Sequence, residues 1–136
     1  MGKIVAIDFG LKRTGLAISD DSKMFAFGLK TIESITLEKE LYDIVISEKV
    51  DTIILGLPKR LDNTDSHITE NVNMLFDRLK GMFTQCRVEL YDERFTSRMA
   101  SDAIHQSGGT RKQKKDKGLI DMVSATIILQ SYLHTL

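Results

Sequence analysis

Cysteine and proline are scarce in this sequence, each occurring once, and neither sign of charge is in excess. Its single cysteine, Cys86, excludes an internal disulfide framework and a cysteine-based zinc site, and it suits a reducing cytoplasm. Cys86 sits just before a candidate strand, which points to a structural role rather than a nucleophile. The one proline, Pro58, closes an apolar run and cannot continue a strand ladder. The 19 Lys+Arg are offset by 19 Asp+Glu, so overall charge does not advertise a nucleic-acid binder and local charge must be read instead. No apolar run reaches the length of a bilayer span, and no early segment has the layout of a secretory signal. The expectation is a cytoplasmic protein without a membrane partner. His67, His105 and His134 show no metal-ligand spacing, and GGTRKQKKDKG lacks the glycine–lysine spacing of a P-loop. A hydrophobic content of 42% in 136 residues is enough for one self-sufficient core, so the expectation is one domain over residues 1–136.

What is present begins with residues 4–15, IVAIDFGLKRTG. Four apolar residues run straight into Asp8, then Gly10, the basic pair Lys12–Arg13, and Gly15. A run that short reads as a buried strand. Its terminal aspartate can present a charge to a cleft, and the glycines let the backbone turn tightly or approach a ligand.

Residues 14–19 and 24–32 read as two further strands, joined by a polar hairpin turn at 20–23. Over 36–48 the period changes: Leu37, Leu41, Ile44 and Val45 mark one face of a helix. Residues 51–57, DTIILGL, are a nearly unbroken apolar run, as expected of a central strand covered on both faces. A polar loop, 59–65, leads into an amphipathic helix whose stripe is Ile68, Val72, Leu75, Phe76, Leu79, Met82 and Phe83. Residues 87–91 alternate as a strand. A short helix over 96–106 and a basic loop over 107–117 follow. The last helix, 119–133, is apolar around most of its circumference. The order βββαβαβαα predicts an α/β fold with a mixed sheet and helices on both faces. In such sheets ligands gather at strand ends.

Three acidic positions end or interrupt apolar elements. Asp8 ends the first strand, Asp92 and Glu93 end the strand at 87–91, and Asp121 lies near the start of the last helix, with Ala125 and Ile128 on its own face. A carboxylate on a packed apolar surface costs free energy unless it is paired, hydrogen-bonded or metal-bound. Three such groups suit a divalent metal with hard oxygen ligands, Mg²⁺ or Mn²⁺, and metal-assisted phosphodiester hydrolysis. Alternation places Asp92 and Glu93 on opposite faces, so one of them joins Asp8; parity alone does not choose. The basic residues suit the same substrate. Lys12 and Arg13 follow Asp8, Lys59 and Arg60 end the central strand, Arg94 follows Glu93, and Arg111, Lys112, Lys114, Lys115 and Lys117 precede the helix of Asp121. Gathered on one edge, they would track a phosphate backbone.

The segments DFGLKRTGLAIS (8–19), ILGLPKRLD (54–62), DERFTS (92–97) and DMVSATIILQSY (121–132) resemble the YqgF/RuvX family, bacterial proteins described as pre-16S rRNA nucleases or Holliday-junction resolvase-like. The resemblance runs through nearly the whole chain in order. It implies an RNase H-like fold with a mixed five-stranded sheet, and a metal site of Asp8, Glu93 and Asp121. It also implies that Arg13 and Arg94 lie beside the scissile phosphate, with Thr96 in the same substrate-binding motif. One departure is visible: after GLP the family usually carries Asp-Gly, whereas Asp62 is followed here by Asn63.

The reading that results is a metal-dependent endonuclease on structured nucleic acid, with 5′-end maturation of 16S ribosomal RNA first among its substrates. A junction resolvase acting on branched DNA is the alternative within the same chemistry and requires a homodimer rather than a monomer. A nucleic-acid-binding module without catalysis is the alternative outside it. An actin-like phosphotransferase is disfavoured by length, because that architecture needs two such domains.

Overall fold

The computed structural model describes residues 2–57, 67–92 and 117–136. Five strands form one mixed sheet: β1 (Lys3–Phe9), β2 (Arg13–Ser19), β3 (Ala26–Glu33), β4 (Val50–Leu57) and β5 (Arg87–Asp92), in the spatial order β3-β2-β1-β4-β5. The first three are an antiparallel meander, and β4 and β5 add in parallel on the other side of β1. The helices are α1 (Leu37–Ser47), α2 (His67–Met82) and α3 (Lys117–Leu133).

Side-chain alternation divides the sheet into two cores. Val5, Ile7, Leu16, Ile53 and Leu55 pack with Leu41 of α1 and with Leu75 and Leu79 of α2. Ile4, Ala6, Ala17 and Ile54 point the other way, onto Ala125, Ile128 and Leu129 of α3. Helices on both faces of a mixed sheet are therefore present as the sequence pattern predicts. The apolar run around residues 51–57 is the interior strand β4, with Thr52 to Leu55 buried between β1 and β5.

Two expected element starts move by two residues, and other boundaries by one. The third strand begins at Ala26 rather than residue 24, because the Asp20 carboxylate accepts the amides of Met24 and Phe25, both at 2.9 Å, and so takes them out of ladder pairing. The last helix begins at Lys117, within the stretch that the sequence pattern assigns to the preceding loop, rather than at residue 119. First-turn amides have no intrahelical partner, so an apolar pattern does not mark where a helix starts. The helix expected at 96–106 and the remainder of the basic loop lie outside the described residues.

Candidate metal and phosphate site

At the end of the sheet where β1 finishes, alternation settles the direction of Asp8. Ile4 and Ala6 face α3, so Asp8, two residues further on, emerges on that face, half-buried. Its antiparallel partner in the ladder is Gly15. Residues directly opposite each other point to the same side of the sheet, ~4.5–5.5 Å apart at Cα.

Gly15 is where α3 lands. A Cβ built on Gly15 would stand 2.1 Å from the carbonyl oxygen of Asp121 and 2.9 Å from the amide nitrogen of Met122. No side chain fits in that space. The absence of one lets the first turns of α3 sit directly on the β1–β2 ladder and brings Asp121 beside Asp8. Gly15 is thus a close-approach glycine inside β2, and what approaches it is the protein's own helix rather than a ligand. The helical face expected for Asp121 is confirmed further along, where Ala125 and Ile128 are fully buried.

Arg13 opens β2 on the same face, two residues before Gly15, and its Nε lies 3.3 Å from Asp121 Oδ2. Both side chains are partly exposed, at 43% and 28%. Lys12 is exposed beside it. Asp8, Arg13 and Asp121 are therefore brought together, with Lys12 at their margin.

The turn carrying Lys12 is held from a distance. The Ser34 hydroxyl donates to the carbonyl of Gly10 at 2.5 Å and meets the buried Thr14 hydroxyl at 2.8 Å. The Ser34 amide donates to the Lys12 carbonyl at 2.9 Å. A Cβ on Gly10 would stand 2.5 Å from the Arg13 carbonyl oxygen, so this turn too needs a glycine. Sequence reasoning missed Ser34 and Thr14. Ser34 follows β3, far from the turn it holds, and no motif spacing marks it.

On β5, Val88 and Leu90 pack with the α1–α2 core while Tyr91 packs with the α3 core. Asp92 therefore shares the face of Leu90, away from Asp8, and its ladder partner is Leu57. Two hydroxyl contacts tie β5 to α3: Tyr132 donates to Glu89, and Tyr91 bonds Ser131. The two tyrosine rings meet edge to face at 5.9 Å. Burial, with the Glu89 carboxylate next, pushes the Tyr132 hydroxyl up to about 12, so it stays a donor.

Two carboxylates on one face, set where a strand ends, are a hard-oxygen donor pair of the kind Mg²⁺ and Mn²⁺ prefer. Among the described residues no group of three or more acidic, histidine or cysteine side chains is gathered. Glu93, the third expected acid, lies outside them, as do Lys59, Arg60, Arg94, Thr96, Arg111, Lys112, Lys114 and Lys115. Among the described residues no helix is long and apolar enough to cross a membrane.

Known proteins resemble this chain along nearly its whole length. The model of the family described as "RuvX: Holliday junction resolvase" matches residues 2–135. A protein of Christiangramia forsetii named "Putative pre-16S rRNA nuclease" is 41% identical over 134 residues, covering 98% of this chain and 99% of its own. A Porphyromonas gingivalis protein of the same name is 44% identical, covering 98% of this chain and 96% of its own. Among solved structures, Thermus thermophilus RuvC in complex with Holliday junction substrate superposes with a TM-score of 0.61 at 10% identity, covering 99% of this chain and 98% of that one. At that identity the likeness speaks for the fold, which is RNase H-like.

Proposed function

From the premise that this chain belongs to the RuvX family, we propose that it is a hydrolytic endonuclease that cuts phosphodiester bonds in structured RNA, in the 5′-end maturation of pre-16S ribosomal RNA. The observation that carries this reading is the meeting of Asp8 and Asp121 on one face across Gly15, with Arg13 against them.

In this reading Asp8, Glu93 and Asp121 hold Mg²⁺ or Mn²⁺. Asp92 faces the other side of the sheet, which favours Glu93 as the third acid. When bound, a divalent cation supplies Lewis-acid activation of water and stabilises the departing oxygen. The chain's own residues do the rest. The half-buried carboxylates concentrate negative charge at one strand end. Arg13 exchanges its contact with Asp121 for the substrate phosphate, to which a guanidinium can donate two parallel hydrogen bonds. Lys12, Lys59, Arg60, Arg94, Thr96, Arg111, Lys112, Lys114 and Lys115 follow the flanking backbone, so binding weakens steeply with salt. The enzyme works in the cytoplasm as one nuclease domain.

The test is Asp8→Asn and Asp121→Asn against pre-16S RNA with Mg²⁺ or Mn²⁺. Changing even outer-shell partners of a metal site costs about 10–100-fold, so loss of a direct ligand is expected to exceed about 100-fold. Folded variants with undiminished cleavage would remove these residues from the site.

The family description favours a second reading, cleavage of four-way DNA junctions. Two symmetric incisions need two sites related by a two-fold axis. A chain that stays monomeric on junction DNA while cutting pre-16S RNA would decide for the first reading.

A further inference from the structure

Two large aliphatic side chains stand in solvent beside this site: Leu11 is 62% exposed and Ile35 91% exposed. Scattered exposed hydrophobics are ordinary on a protein surface. These two are not scattered. Leu11 lies in the turn after β1, immediately before Lys12 and Arg13. Ile35 follows Ser34, whose hydroxyl and amide bind that same turn at Gly10 and Lys12. The bonded turns present both side chains at the end of the sheet that carries Asp8, whereas the exposed Met24 and Phe25 lie at the opposite end.

Ile35 also borders a recess of ≈220 Å³ lined by Phe9, Ser34, Leu37, Glu38, Leu75 and Arg78, in which the Arg78 Nε donates to Glu38 Oε1 at 2.7 Å. Its volume falls below the ~300–1,000 Å³ of drug-sized ligand sites, which suits one planar ring rather than a whole nucleotide. Phe9 is the neighbour of Asp8, with Cα atoms ~3.8 Å apart and side chains on opposite faces. A strand of nucleic acid crossing the end of β1 would therefore meet acids and Arg13 on one side, and on the other a small recess edged by Ile35, Phe9 and the Arg78–Glu38 ion pair.

We propose that Leu11 and Ile35 displace the base beside the scissile phosphate from its pair and seat it at the recess that Ile35 borders, so that this nuclease opens structured substrate locally at the point of cutting. Apolar side chains pressed against base steps unstack them in other nucleic-acid-binding proteins. The hydrogen bonds of Ser34 tie the backbone of the two segments together. The inference rests on the nuclease reading for its biological meaning but not for its test.

In the experiment, 4-thiouridine is walked one position at a time through a pre-16S RNA hairpin, and the complex is irradiated with Ca²⁺ present. Crosslinks at one or two adjacent positions are expected in the peptides holding Phe9 to Leu11 and Ile35. In parallel, cleavage with Mg²⁺ is compared between the paired hairpin and one mismatched beside the cut. In the Leu11→Ser/Ile35→Ser double variant the paired-to-mismatched rate ratio is expected to fall about ten-fold, the size of one lost base-stacking contact. The Leu11→Met/Ile35→Met variant should keep it. Both positions are exposed, so unchanged melting is the control for folding. Cleavage with an unchanged ratio and no such crosslinks would overturn the base contact. Crosslinks to these peptides without cleavage of RNA or junction DNA would refute the nuclease reading and leave the base contact standing.

Discussion

Arg13 and Asp121 stand 108 positions apart in the chain, yet the Arg13 Nε lies 3.3 Å from Asp121 Oδ2. The guanidinium rests on a carboxylate that we propose holds the metal, and on that proposal phosphate and metal would each compete for one half of this pair. Partial exposure keeps the contact weak enough to exchange, since such pairs contribute about 0–1 kcal/mol.

That competition has a sign. Arg13→Gln removes a cation from beside Asp121, so Mn²⁺ should bind the free protein about 2- to 5-fold more tightly, the coupling expected of an exposed pair. The same variant should bind RNA more weakly. Calorimetric titration with Mn²⁺, and RNA binding at fixed salt, measure the two effects. Weaker binding of both would mean that Arg13 only supports the local structure.

Gly15→Ala tests the seat of α3. The added methyl would stand 2.1 Å from the Asp121 carbonyl oxygen, and helix backbone cannot swing aside as a flexible side chain does. Overpacking of this kind costs about 1–3 kcal/mol. The variant should melt several degrees lower. It should lose cleavage even well below its melting temperature, because Asp121 is pushed away from Asp8. Ala17→Ser, on the same strand and face, controls for general damage to β2.

Acid should act through the turn between β2 and β3. The Ser22 hydroxyl, with the amides of Phe25 and Met24, holds the Asp20 carboxyl down to about 2. A carboxyl with an ordinary value near 4 in the unfolded chain and a lower one in the folded chain stabilises above that ordinary value. The contribution is lost as pH falls from about 4 through about 2. The melting gap between the wild-type protein and Asp20→Ala should therefore be constant near neutrality and narrow across that window. A gap independent of pH would show that the turn does not depend on the ionised carboxylate.

Cys86 should be inert. Burial, with the charge of Asp51 second, pushes its thiol up, and its sulfur donates to the Val50 carbonyl at 3.3 Å. Alkylation by iodoacetamide near pH 8 should run at least about ten-fold slower in the native protein than in guanidinium. Equal rates would contradict the structural role given to this residue.

Much of the fold was written locally in the chain. The apolar run at Ile4–Ile7, the stripe of Leu37, Leu41 and Ile44, and the unbroken apolar stretch of β4 each carry their own periodicity, and periodicity survives without knowledge of neighbours. The face of Asp121 was legible for the same reason, because Ala125 and Ile128 share it. So was the presence of an acid at the end of the first strand. What no local pattern contains is which distant pieces touch. The landing of α3 on Gly15, the pairing of Arg13 with Asp121, the hold of Ser34 on Gly10 and Lys12, and the turning of Asp92 away from Asp8 all follow from strand register and helix seating. Packing between segments far apart in sequence sets both, and only the folded chain decides them.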